Sequence, residues 1–159
     1  IRDRMETVTE IDGVTYINDT TATAPVAAAA ALEALAGRRV HLLAGGADKK
    51  LDPTPLVDAG TRAHAVYLFA GSATPAIEDA LRQRGVLPNG PYDSMTAAVQ
   101  AASAAATAGD VILLSPGCAS FGLFQNEFDR GEQFRQAARA LASRATSVPS
   151  GGRHAGSTR

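Results

Sequence analysis

The 159-residue sequence contains no tryptophan, one cysteine, two methionines and three histidines, and aromatic residues make up only 5% of it. A lone Cys118 cannot form an internal disulfide, and His41, His64 and His154 are too scattered to share metal-ligand spacing with it. A metal site is therefore not expected. Neither sign of charge prevails: 15 Lys+Arg face 16 Asp+Glu, a formal net charge of -1. Nothing in that balance points to nucleic acid. The longest apolar runs, such as the alanines from Val26 to Ala31, are interrupted too early to cross a bilayer and lack the flanks of a signal sequence, so no membrane partner is expected and the cytoplasm is the default compartment. No Gly-x-x-x-x-Gly-Lys-Ser/Thr loop occurs, so hydrolysis of ATP by the usual phosphate loop is not expected of this stretch alone. What is present, 45% hydrophobic and 19% charged residues, describes one ordinary globular domain. Ile1 opens without an initiator methionine and runs straight into charged residues, as in a piece of a longer chain.

Along the chain, Glu6 to Asn18 holds two β-branched runs around Asp12-Gly13, a dipeptide suited to a tight hairpin turn. Val26 to Ala36 reads as a helix, entered near Thr23 or Ala24 and Pro25 and stopped by Gly37. Arg39 to Ala44, Ala65 to Ala70 and Asp110 to Leu114 are apolar with little alternation, as strands covered on both faces should be. Helical stretches are expected near Pro53 to Arg62, Thr74 to Arg84, Ser94 to Ala106 and Asn126 to Ser143, the last continuing toward Ala145. Alternating strands and helices imply an α/β fold, a Rossmann-like, doubly wound and mostly parallel sheet with the N-terminal β-hairpin as its antiparallel edge. The domain is expected over 1–145. The Ser-, Gly- and Arg-rich 146–159 has little to bury and is expected to be a disordered tail.

Three loops, each after a predicted strand, carry most of the polar chemistry: Asn18 to Thr23, Gly45 to Lys50 and Ser115 to Phe121. In a doubly wound sheet such loops meet at the carboxyl edge, where ligands bind. There the Lys49 ammonium and the Thr23 and Ser120 hydroxyls could hold carboxylates. Each feature taken alone has a plainer reading. Thr23 and Ser120 could cap helices, Lys49 and Lys50 could be solvated, and a glycine pair after a strand is common turn chemistry. Cys118 reads as a small buried hydrophobe and His41 as a satisfied core or edge residue, with His64 and His154 at the surface or tail. Asp129, Arg130 and Glu132 read as the solvated face of the last helix.

Together the loops carry a more specific pattern. Tyr16-Ile17-Asn18-Asp19-Thr20-Thr21-Ala22-Thr23 resembles the Asn-Asp-Ser-Lys-Ala-Thr signature of the C-terminal domain of glutamate-adding Mur ligases. Leu42 to Lys49 resembles their second strand and Gly-Gly-x-x-Lys loop, and Leu114 to Phe121 their Leu-Ser-Pro-Ala-Cys-Ala-Ser block. Phe124, Asn126, Arg130-Gly131 and Phe134 follow in the same order, and Arg4-Met5-Glu6 resembles the end of the segment joining the central and C-terminal domains. The likeness runs from Arg4 to Ala142.

That resemblance implies an ATP-dependent ligase that joins glutamate to UDP-N-acetylmuramoyl-L-alanine through an acyl phosphate in peptidoglycan synthesis. ATP and Mg2+ would be bound mainly by a central domain outside this stretch, and the missing central and N-terminal domains of the same chain become partners, in a monomer. Lys49 and Thr23 would hold carboxylate oxygens of the glutamate, with Ser120 and the Phe121 amide at its other carboxylate, while Arg4 and Asp19 would reach the nucleotide. No catalytic group need lie in this stretch, which is expected to be inactive alone. Two positions depart from the pattern: Thr21 stands where the family has lysine, and Glu127 where it has a residue that frames the glutamate. Competing readings are a folylpolyglutamate-synthase-like ligase, another amino-acid ligase such as one adding L-glutamate, and a non-catalytic Rossmann-like binding module.

Overall fold

The computed structural model describes residues 1–147. Its elements run β1 (Glu6–Ile11), β2 (Val14–Asn18), α1 (Pro25–Ala34), β3 (Val40–Ala44), α2 (Thr54–Arg62), β4 (Ala65–Phe69), α3 (Thr74–Gln83), β5 (Asn89–Tyr92), α4 (Met95–Ala105), β6 (Val111–Leu114) and α5 (Glu127–Ser147). The expectation of a disordered tail over 146–159 falls mostly outside the described residues. The six strands form one sheet in the order β1-β2-β6-β3-β4-β5. Only β1 and β2 pair antiparallel; β2 with β6, β6 with β3, β3 with β4 and β4 with β5 are parallel. The predicted doubly wound α/β sheet with a hairpin edge is thus the observed fold.

The hairpin turns where expected, with Asp12 and Gly13 at φ 51° and 79°, the left-handed values a two-residue turn demands. The continuous apolar strands have their reason in burial on both faces. Val40, Leu42, Val66, Leu68, Val111 and Leu113 join one core with residues of α1, α2 and α3. Leu43, Tyr67, Phe69, Ile112 and Leu114 point the other way, to a second core with residues of α4 and α5. His41 is fully buried between the Tyr67 hydroxyl at 3.0 Å and the Asp110 carboxylate at 2.9 Å, the satisfied core histidine anticipated. Strand β5 was not foreseen. Its Asn-Gly-Pro-Tyr reads as a turn, and it forms a strand only at the sheet edge, where a proline costs no ladder hydrogen bond. Among the described residues no helix is long and apolar enough to cross a membrane.

Because β2, β6 and β3 are adjacent, the loops that follow them emerge side by side at one edge of the sheet. That adjacency places the site.

Candidate functional site

The middle loop, 115–126, is pinned on both flanks. Toward the β3 loop, Gly45 N–H donates to Pro116 O at 2.9 Å, and Ala47 and Ala119 exchange backbone bonds of 3.0 and 3.1 Å as an isolated bridge. Gly46 takes φ 144°, and a Cβ on it would stand 2.6 Å from Ala119 O, so the two loops close only over a glycine. Toward the β2 loop, Asp19 N–H donates to Leu114 O at 2.7 Å and Gly117 N–H to Ala22 O at 2.8 Å. The three polar loops therefore form one rim.

On that rim Thr23, Lys49, Ser120 and Phe121 line a single cavity of about 450 Å3, together with Asn126, Glu127 and Phe128. Lys49 Nζ lies 3.4 Å from Thr23 Oγ1. Thr23 does not cap α1, whose cap position is Ala24 with no side-chain bond. Its hydroxyl is left to the cavity. Asn126 caps α5 by accepting Asp129 N–H at 2.8 Å. Phe121 and Phe128, on the wall of this cavity, stand 70% and 57% exposed.

Arg4 and Asp19 belong to a second cavity of about 450 Å3, with Met5, Thr21 and the alanine face of α1. The Asp19 carboxylate accepts Met5 N–H at 3.1 Å and Ser115 Oγ–H at 2.9 Å. Burial raises its pKa above the usual carboxylate value, against the pull of Ser115, Met5 and Arg4. Thr21, at the position expected to carry lysine, donates its hydroxyl and N–H to Asp3 O at 3.1 and 3.2 Å. It thereby ties the N-terminal strap to the β2 loop. The strap is held again by Asp3, whose buried carboxylate takes Asn18 Nδ2 at 3.0 Å and Arg135 at 2.9 Å. Arg135 also binds Glu6 and Glu132, and its pKa is raised, these carboxylates outweighing the opposing effect of burial.

A third, smaller cavity of about 140 Å3 shares Lys49 and is otherwise walled largely by apolar groups, Cys118 among them. Burial pushes the Cys118 thiol up to about 11, so it stays protonated at neutral pH and offers no nucleophile. Among the described residues no group of three or more His, Cys, Asp or Glu is placed to hold a metal ion.

One expectation is overturned. Arg130 does not lie on a solvated helix face: it is 1% exposed, its guanidinium donating to Thr20 Oγ1 and Thr20 O at 2.9 Å and to Cys118 O at 3.0 Å. The signal was legible, since Arg130, Phe134 and Ala138 follow at intervals of four along the apolar face of α5, and Phe134 and Ala138 are fully buried. Gly131 follows for a steric reason. A Cβ there would collide with Asp3 Oδ1 and lie 2.7 Å from Thr20 Cγ2. Asp129 and Glu132 stay near the surface, Asp129 accepting Gln125 N–H and Gln133 Nε2 at 3.0 Å each and Glu132 pairing with Arg135 at 2.8 Å.

Residues 3–118 match the family model described as "Mur ligase, glutamate ligase domain". The chain is 51% identical over 139 residues to the UDP-N-acetylmuramoylalanine--D-glutamate ligase of Roseiflexus sp. (strain RS-1), covering 86% of this chain and 30% of that protein. It is 41% identical over 141 residues to the enzyme of the same name from Treponema pallidum (strain Nichols), covering 89% and 26%. It thus spans less than a third of these relatives' length. Among solved structures, the UDP-N-acetylmuramate-alanine ligase MurC of Thermotoga maritima superposes with a TM-score of 0.66 at 11% identity, covering 91% of this chain and 31% of that one. The FolC protein of E. coli in complex with ADP superposes at 0.58 and 19% identity, covering 92% and 33%. At those identities the likeness is one of fold.

Proposed function

Because the chain belongs to the Mur ligase family, as its glutamate ligase domain, we propose that it is the amino-acid-holding part of an ATP-dependent ligase that adds D-glutamate to UDP-N-acetylmuramoyl-L-alanine in the cytoplasm. The observation that carries this reading is the meeting of Thr23, Lys49 and Ser120, from three separate loops, around one cavity. The relatives named for D-glutamate favour that amino acid.

A dianionic amino acid needs a cation and several donors, and the cavity offers the Lys49 ammonium with the Thr23 and Ser120 hydroxyls and the Phe121 amide. Holding both carboxylates leaves the amine as the free end and aims it outward, so this domain contributes orientation and no proton transfer. The electrophile, an acyl phosphate made from ATP with Mg2+, would be formed on the remainder of a longer chain, over which this rim closes. Arg4 and Asp19, in the neighbouring cavity, face the nucleotide in that arrangement. Closure would bury the exposed Phe121 and Phe128 and keep water from the acyl phosphate.

The test uses the parent chain with ATP, Mg2+, UDP-N-acetylmuramoyl-L-alanine and each glutamate enantiomer in turn, following phosphate release. Release only with D-glutamate is expected, and none from the 159-residue stretch alone. No release with either enantiomer would remove the assignment, and release with a folate acceptor instead would move it to a different ligase.

A further inference from the structure

Arg130 is a full positive charge buried with no described carboxylate within ion-pair distance. Burial brings its pKa down to about 10 against the opposing pull of its neighbours Cys118 and Glu127, which leaves it charged at neutral pH without a direct ion pair. An apolar side chain on the same face of α5 as Phe134 and Ala138 would fill such a place at less cost, so the guanidinium calls for a polar task.

We propose that Arg130 is a positioning residue for the amino acid: its guanidinium sets the distance between the loop that carries Thr23 and the loop that carries Ser120. The inference rests on the reading of the cavity as an amino-acid site. One planar fork takes two oxygens of Thr20, three residues before Thr23, and the carbonyl of Cys118, two residues before Ser120. The Thr20 hydroxyl that accepts from Arg130 donates onward to Glu127 O at 2.7 Å, so the same guanidinium also holds the first turn of α5, where Glu127 and Phe128 wall the cavity. Gly131 lets the helix backbone come close enough to Thr20 for this reach. The roots of the loops have separate ties, Asp19 N–H to Leu114 O, Gly117 N–H to Ala22 O and Ser115 Oγ–H to Asp19. These survive the loss of Arg130, so the sheet and loop bases persist while the outer walls of the cavity lose their spacer.

The experiment compares the parent chain with its Arg130→Met and Arg130→Lys variants in glutamate-dependent phosphate release. For Arg130→Met the KM for glutamate is expected to rise about tenfold or more, with kcat at saturating glutamate within about threefold and the KM for ATP unchanged. Arg130→Lys, which keeps the charge and loses the fork, should fall between. An unchanged glutamate KM overturns the proposal, and so does an equal loss in glutamate KM, ATP KM and kcat, which would mark Arg130 as a general prop of the fold. Should Arg130→Met fail to fold, Arg130→Lys decides by the same split. Absence of glutamate-dependent release in the unsubstituted parent would instead strike the amino-acid reading, and this inference with it.

Discussion

Replacing Lys49 with alanine removes the only ammonium that the described residues bring to the cavity shared by Thr23, Ser120 and Phe121. What remains there is Glu127, whose carboxylate is of the same sign as the proposed ligand. A charge-assisted hydrogen bond to a ligand contributes about 1.5–3 kcal/mol, which corresponds to roughly ten- to 150-fold in affinity. Lys49 is exposed in the open rim, so the lower half of that range applies before closure and the upper half once water is excluded. Losing one of two carboxylate anchors also frees the amine to wander, and kcat should fall along with the rise in KM. The assay is phosphate release by the parent chain as glutamate is varied at saturating ATP, with Lys49→Arg and Lys49→Gln alongside. Arginine should recover part of the affinity and glutamine little. A glutamate KM within twofold of the unsubstituted value for Lys49→Ala would refute the reasoning, because among the described residues no other cation lines the cavity to take its place.

Glu127→Gln removes the like charge from the cavity and should lower the glutamate KM by roughly two- to fivefold; a rise would mean that the carboxylate aids binding. Gly46→Ala puts a Cβ against Ala119 O at a backbone conformation that strains any side chain, costing about 1–3 kcal/mol, and the thermal midpoint should fall by roughly 2–4 °C per kcal/mol. Asp19→Asn should leave the thermal midpoint at pH 7 unchanged or higher, since burial raises this carboxyl's folded pKa and its charged form opposes folding at neutral pH, while the amide can still serve Met5 and Ser115. Activity of the same variant should drop through a higher KM for ATP. Asp110 shifts the opposite way: burial alone would raise it, but Thr107 N–H, His41 and Arg39 hold it below its ordinary 3.8. Its contribution is complete above pH 3.8 and lost as pH falls from there through the folded pKa, so Asp110→Asn should flatten the dependence of the urea midpoint on pH below about 4.

The fold could be read from the chain because its signals are local. Asp12-Gly13 specifies a turn by its own φ angles, Pro25 and Gly37 bracket a helix, and strands such as Arg39 to Ala44 are apolar throughout because both of their faces are covered. Thr23, Lys49 and Ser120 were singled out for a different reason: loops that follow parallel strands share an edge, so residue type and order sufficed to group them. Other features were masked or had no local trace. Asn89 to Tyr92 becomes a strand only because β4 offers it an edge, and a turn-like composition conceals that. Arg130 looked solvated because charge predicts exposure, whereas its burial depends on oxygens of Thr20 and Cys118 that approach from 110 and 12 residues away. The separation of Arg4 and Asp19 into a cavity of their own, and the hold of Arg135 on the strap through Asp3 and Glu6, likewise arise from contacts between distant segments. The chain by itself determined every element but the edge strand β5, and which loops share a rim, since backbone preference and hydrophobic period act between near neighbours. How that rim is braced was decided only by tertiary packing, because a buried charge finds its partners through space.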